Sequence, residues 1–153
     1  YDIIRPGIAL YGGYDNTKLK KLMSINPIIT LKAKVLQIKI INKNVYVGYN
    51  QTYKTKKETI ISILGIGYGD GLPRLLSNNG KVYFKNQSFN IIGRVSMDSI
   101  TVDISKRKVE IEIGNYMEII NKENDIEKFA KKSGTIGREI LTSISKRVKR
   151  IYI

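Results

Sequence analysis

The sequence predicts a mainly β domain, an antiparallel barrel with Greek-key-like topology, carrying one or two short helices near its C-terminal end. Three observations lead there. Short β-branched runs recur through residues 28–120 with turn residues between them, the spacing of an antiparallel barrel or sandwich rather than of βαβ units. A helical period sets in only after residue 124. The length, 153 residues, accommodates one domain with a sizeable core but not two.

Residues 28–41 alternate, with Ile29, Leu31, Ala33 and Val35 on one face and Thr30, Lys32 and Lys34 on the other. The phase then flips to Leu36, Ile38 and Ile40, which predicts a β-bulge near Val35 and Leu36. Further strands are predicted over residues 45–49, 59–66, 81–84, 88–95, 99–104 and 116–120, and Asn79-Gly80 is a hairpin signal. Asn124 or Asp125 can cap a helix with Glu127 in its first turn, Ile126, Phe129 and Ala130 facing inward, and Gly134 as its stop. A second helix is predicted from about Ile136 to Ser145, and a last strand over 146–153. The polar stretch from Tyr14 to Lys21 reads as a joint between a first segment and the β-rich body.

Composition narrows the chemistry. There is no cysteine, which excludes a disulfide framework and cysteine metal sites, and no metal site is predicted. Histidine is absent too, so acid–base work near neutral pH falls to Tyr, Lys, Asp or Glu, or to a cofactor. The net charge is +14, but 20 of the 27 basic residues are lysines scattered along the chain, alongside 27 isoleucines. That reads as compositional bias and a solvated lysine surface, not as a nucleic-acid face. No apolar run approaches the roughly 20 residues of a membrane span. The opening YDIIRPGIALYG has no basic region ahead of an apolar one, so no secretory signal is expected.

Four segments pair glycines with reactive side chains. They are RPGIALYG at 5–12, VGYNQTY at 47–53, GYGDGLPR at 67–74 and GRVSMD at 93–98. The third follows a strand candidate directly and concentrates a phenol (Tyr68), a carboxylate (Asp70) and a guanidinium (Arg74) on a glycine-rich turn.

In this order and spacing, the four segments make the chain resemble the C-terminal portion of the alanine racemase family over essentially its whole length. The resemblance implies a division into residues 1–22, the end of a (β/α)₈ barrel that binds pyridoxal phosphate plus a linker, and residues 23–153, the family's C-terminal β-domain. It implies an active site shared between two subunits, with Tyr49 as catalytic base on one face of the substrate. Arg5 matches the arginine that faces the cofactor's pyridine nitrogen, and Gly7 and Ile8 match backbone donors to its phosphate. Met97 matches the position whose amide holds the substrate carboxylate. Tyr68, Asp70, Arg74, Arg94 and Asp98 match residues lining or bracing the entrance corridor, where ion pairing among these charges is the simpler alternative. The implied partners are alanine and a homodimer partner or an N-terminal barrel fragment, with no nucleic acid and no membrane. The implied setting is the bacterial cytoplasm, supplying D-alanine for peptidoglycan.

Two departures accompany the match. No lysine lies in a sequence like the family's cofactor-lysine motif, so the chain is expected to be inactive alone. Arg138 stands where the family usually has a tyrosine that contacts the cofactor phosphate, and an arginine can also bind phosphate, even bidentately. Two readings of other classes compete: a basic β-barrel that binds nucleic acid, and a non-functional remnant of a split racemase gene.

Overall fold

The structure, a computed structural model, describes residues 2–14 and 25–152. The strands are β1 (Leu31–Ile41), β2 (Tyr46–Val47), β3 (Tyr53–Lys54), β4 (Thr59–Leu64), β5 (Lys81–Phe84), β6 (Gln87–Ile92), β7 (Ile100–Asp103) and β8 (Tyr116–Ile120). Six of them close an antiparallel barrel in the order β1-β4-β7-β6-β5-β8, and β2 and β3 form a separate two-stranded ladder. Two helices follow, α1 (Ile126–Lys132) and α2 (Gly137–Ser143). The fold class read from the sequence is the one observed.

The expected bulge is present. Val35 pairs with Leu64 and Gln37 with Ile63, so Leu36 is the extra residue. Before it, Leu31, Ala33 and Val35 point into the core; after it, Leu36 and Ile40 face outward and Ile38 is half-buried. The kink lets one long strand pair with β8 through its first half and β4 through its second. Val35, Leu64, Val82, Val102, Met117 and Ile119 fill the interior without measurable exposure, each contributing about 1.5–3 kcal/mol by burial.

A smaller cluster of Val47, Ile61 and Ile92, with Ile41 and Tyr53 against it, fastens the β2–β3 ladder to the barrel wall. The strand predicted over 45–49 is therefore only two residues long, because the chain leaves the ladder at Gly48 and enters a 3-10 turn at Tyr49–Gln51. Four further strands are shorter than expected: β1 begins at Leu31, β4 ends at Leu64, β7 covers only Ile100–Asp103, and β6 ends at Ile92, before Gly93 takes a positive φ of 76°.

The expected hairpin at Asn79-Gly80 is corrected by the structure. The turn between β5 and β6 is Lys85-Asn86, whose φ values of 45° and 64° suit a two-residue hairpin between Phe84 and Gln87. Asn79-Gly80 instead lies ahead of β5, where Gly80 is buried so tightly that an added methyl group would meet the Ile91 side chain at 2.5 Å.

The first helix forms as read. Asp125 caps it, its Oδ1 accepting the Lys128 N–H at 2.9 Å, and Ile126, Phe129 and Ala130 are buried. The second ends at Ser143, two residues early, as Ile144 turns extended. No strand forms over 146–152. The barrel leaves no vacant ladder position for it, and the Arg150 guanidinium takes up the carbonyls of Ile144, Ser145 and Val148. The stretch read as a joint lies outside the described residues apart from Tyr14, whose hydroxyl donates to the Ile25 carbonyl at 2.9 Å.

Candidate functional site

Three of the four glycine-bearing segments converge at one end of the barrel. Tyr49 sits on the turn after β2 and is 69% exposed. That turn is held by its backbone: Gly48 has φ 73°, and a methyl group there would lie 3.0 Å from the Arg94 nitrogen. Asn78 straps it to the GRVSMD segment. Its Nδ2 donates to Thr52 Oγ1 at 3.2 Å, and its Oδ1 accepts the Gly93 N–H at 2.6 Å. The phenol thus projects from a fixed base into open space.

The GYGDGLPR turn packs on the same loop. Tyr68 N–H donates to the Ser96 carbonyl and Gly69 N–H to the Met97 carbonyl, both at 2.9 Å. These bonds require the two segments to touch, since a Cβ on Gly67 would fall 2.3 Å from the carbonyl oxygens of Ser96 and Met97. Asp70 closes its own turn, Oδ2 accepting the Gly67 N–H at 2.9 Å. Met97 is half-exposed in the loop between β6 and β7, and its N–H donates to no acceptor among the described residues.

The charged residues sort themselves differently from the ion pairs the sequence allowed. Both Asp70 and Asp98 pair with Arg147, at 2.9 and 2.8 Å from its Nη2. Those two contacts, Asp98 first, raise the Arg147 pKa above its ordinary value. Arg74 instead stands 5.8 Å from the centre of the Tyr68 ring. Arg94 Nε is shielded from solvent and has no hydrogen-bond partner among the described residues. Sequence reasoning missed Arg147, which sits among three other cations in SKRVKR and has no local mark to separate it from them.

The remaining predicted residues gather elsewhere. Gly7, Ile8, Tyr11, Arg138 and Leu141 line a cavity of about 730 Å³, completed by residues 28–31 and by residues near the C-terminal end. None of Tyr49, Tyr68 or Met97 reaches it. The N–H groups of Gly7 and Ile8 donate to no acceptor among the described residues, and Arg138 Nη2 lies 3.8 Å from where a Cβ on Gly7 would be. Two backbone donors beside a guanidinium are the donor set a phosphate ester needs, so these residues fit the phosphate of pyridoxal phosphate. Arg5 is exposed and does not line the cavity. A second depression, of about 510 Å³, holds none of the predicted residues.

Comparisons with known proteins show the family and the fold. Residues 28–152 match the family described as alanine racemase, C-terminal domain. The chain is 41% identical to an alanine racemase of Rickettsia akari over all of its own length and 41% of that protein's. Among solved structures it superposes on alanine racemase from Bartonella henselae with covalently bound pyridoxal phosphate, with a TM-score of 0.88 and 40% identity over 99% of this chain and 42% of the other. Alanine racemase from Streptomyces lavendulae gives a TM-score of 0.90 at 30% identity, over 100% of this chain and 41% of that one. The chain thus spans about two fifths of the length of the relatives it matches.

Proposed function

The chain belongs to the alanine racemase family, whose C-terminal domain it contains, and on that premise we propose that it is the C-terminal part of an enzyme interconverting L- and D-alanine. In this reading residues 1–22 end the cofactor-binding barrel, residues 23–153 form the β-domain, and the cofactor lysine lies in a barrel domain outside this sequence. The assembled enzyme is a homodimer in the cytoplasm, feeding D-alanine to peptidoglycan.

Racemisation removes the α-proton from one face of the substrate and returns a proton to the other, so it needs two proton carriers on opposite sides. Pyridoxal phosphate, when bound, supplies the conjugation that stabilises the charge left on the α-carbon. This chain supplies one of those carriers and part of the binding site. The Tyr49 hydroxyl takes or returns the proton on one face. A phenol, with a reference pKa of about 10, acts as a base only where cations or donors favour its ionised form. With the cofactor bound, Arg5 would donate to its pyridine nitrogen, the Gly7 and Ile8 amides and the Arg138 guanidinium would hold its phosphate, and the Met97 amide would receive the substrate carboxylate. Tyr68, Asp70, Arg74, Arg94 and Asp98 frame the entrance.

One observation carries the proposal: Tyr49 stands 69% exposed on a turn locked by glycine geometry, apart from the cavity of Gly7, Ile8 and Arg138. Within one chain the base and the phosphate cradle do not meet; between two copies each supplies what the other lacks. The test is to join this chain to a family barrel domain bearing the cofactor lysine and follow D-alanine formation. Tyr49→Phe is expected to cut turnover by about 10²–10⁴-fold. An assembled, cofactor-loaded enzyme that Tyr49→Phe leaves unchanged overturns the role of Tyr49.

A further inference from the structure

Arg147 joins two segments whose other hydrogen bonds to each other are between main-chain atoms. Its Nε and Nη2 both donate to Asp70 Oδ1, at 3.1 and 2.9 Å, while Nη2 also donates to Asp98 Oδ1 at 2.8 Å. Asp70 belongs to the turn whose Gly69 N–H holds the Met97 carbonyl, and Asp98 is the residue after Met97. Met97 is therefore gripped on one side by Gly69 and on the other through Asp98. The guanidinium lies across Gly69 itself: a methyl group there would be 3.0 Å from Nη2 and 3.1 Å from the Met97 oxygen.

The clamp is anchored at its root. Ser145 N–H donates to the Asp70 carbonyl at 3.1 Å, and Arg147 N–H donates to Ser145 Oγ at 3.2 Å. Main chain and side chain of 145–147 thus bear on the same aspartate. Asp98, with 66% of its side chain exposed, has no other partner among the described residues and would otherwise be a solvated carboxylate. An exposed ion pair by itself orders little. A planar guanidinium forked across two carboxylates fixes direction as well as distance.

We propose that Arg147 is a positioning residue, which fixes the orientation of the Met97 amide by bridging Asp70 and Asp98. The proposal rests on the reading above, in which that amide receives the substrate carboxylate. Arg147 touches neither substrate nor cofactor; it acts through the loop. Small displacements of a binding group are costly when the bound geometry must be reactive.

The test has two arms, run on Arg147→Ala and Arg147→Lys. In the full chain, amide hydrogen exchange at Gly69 is expected to accelerate roughly tenfold or more in Arg147→Ala, with core amides of β7 unchanged. In the racemase assembled with its barrel domain, KM for alanine is expected to rise roughly tenfold while kcat and cofactor affinity hold, and Arg147→Lys recovers part of the loss. Unchanged exchange at Gly69 overturns the proposal, as does faster exchange with KM unaltered, which makes the clamp purely structural. If the unmodified assembly racemises nothing, the functional reading fails on its own, and the exchange arm still decides whether Arg147 holds the Met97 segment. Arg147→Lys keeps the test decisive should Arg147→Ala not fold.

Discussion

Asn78 grips Gly93 from both directions: its side-chain oxygen accepts the Gly93 N–H at 2.6 Å, and its own N–H donates to the Gly93 carbonyl at 3.2 Å. Its side-chain nitrogen reaches Thr52 on the other flank. One asparagine therefore ties the turn bearing Tyr49 to the loop bearing Arg94 and Met97. Asn78 also holds φ at 59°, a conformation asparagine tolerates better than most residues.

Replacing Asn78 separates these two contributions. Asn78→Gly keeps the backbone freedom and loses the strap, while Asn78→Ala loses both. We expect Asn78→Gly to cost about 1–3 kcal/mol, from leaving the Gly93 N–H without its acceptor, and Asn78→Ala to cost more. Urea unfolding of both variants checks this. Equal midpoints for Asn78→Gly and the unmodified chain would remove the strap from the account.

Gly67 makes a second prediction. A Cβ there would lie 2.3 Å from two carbonyl oxygens and 2.4 Å from the Met97 carbonyl carbon, and those neighbours are backbone, with no side-chain end to swing away. Gly67→Ala must pry the GYGDGLPR turn off the GRVSMD loop, at a cost of about 1–3 kcal/mol or more. The expected signature is a lower thermal midpoint together with faster amide exchange at Tyr68 and Gly69. Normal stability with both amides still protected contradicts the close approach.

Alkaline pH gives a third. Burial raises the Tyr53 hydroxyl pKa, with the Asp103 charge adding to it, and burial likewise raises Tyr83, with Glu123 adding. Phenols in the unfolded chain ionise near pH 10, so between that value and the folded pKa the native state binds more protons than the unfolded one. Stability from these two residues is complete below about pH 10 and is lost as pH rises through their folded values. Tyrosinate absorbance is expected to show Tyr53 and Tyr83 ionising later than the exposed tyrosines. Tyr53→Phe and Tyr83→Phe should each flatten the alkaline decline. Ionisation of all ten tyrosines in one transition near pH 10 counts against it.

Much of the fold was legible because its signals are local. The alternation of Ile29 to Val35 and its phase flip are written in side chains a few positions apart, and they located the bulge at Leu36. The Asp125 cap and the Ile126, Phe129, Ala130 face were equally readable. What failed depends on distant partners. Residues 146–152 carry strand-forming types, yet closure of the barrel and the reach of Arg150 decide their course. Asn79-Gly80 has hairpin chemistry, but the register of β5 with β6 places the turn at Lys85-Asn86. At the candidate site the glycine motifs were visible as motifs, while the pairing of both aspartates with one arginine over 70 positions away from the first was not.

The seven residues of α2 connect the two groups of candidate residues. Arg138 stands in its first turn beside Gly7, and at its last residue Ser143 Oγ donates to the Gly71 carbonyl at 3.3 Å. At about 1.5 Å per residue the helix is a stiff lever of roughly 10 Å, with the proposed phosphate cradle at one end and the Asp70 turn at the other. A change in the tilt of α2 would therefore move Arg138 and the contact at Gly71 together.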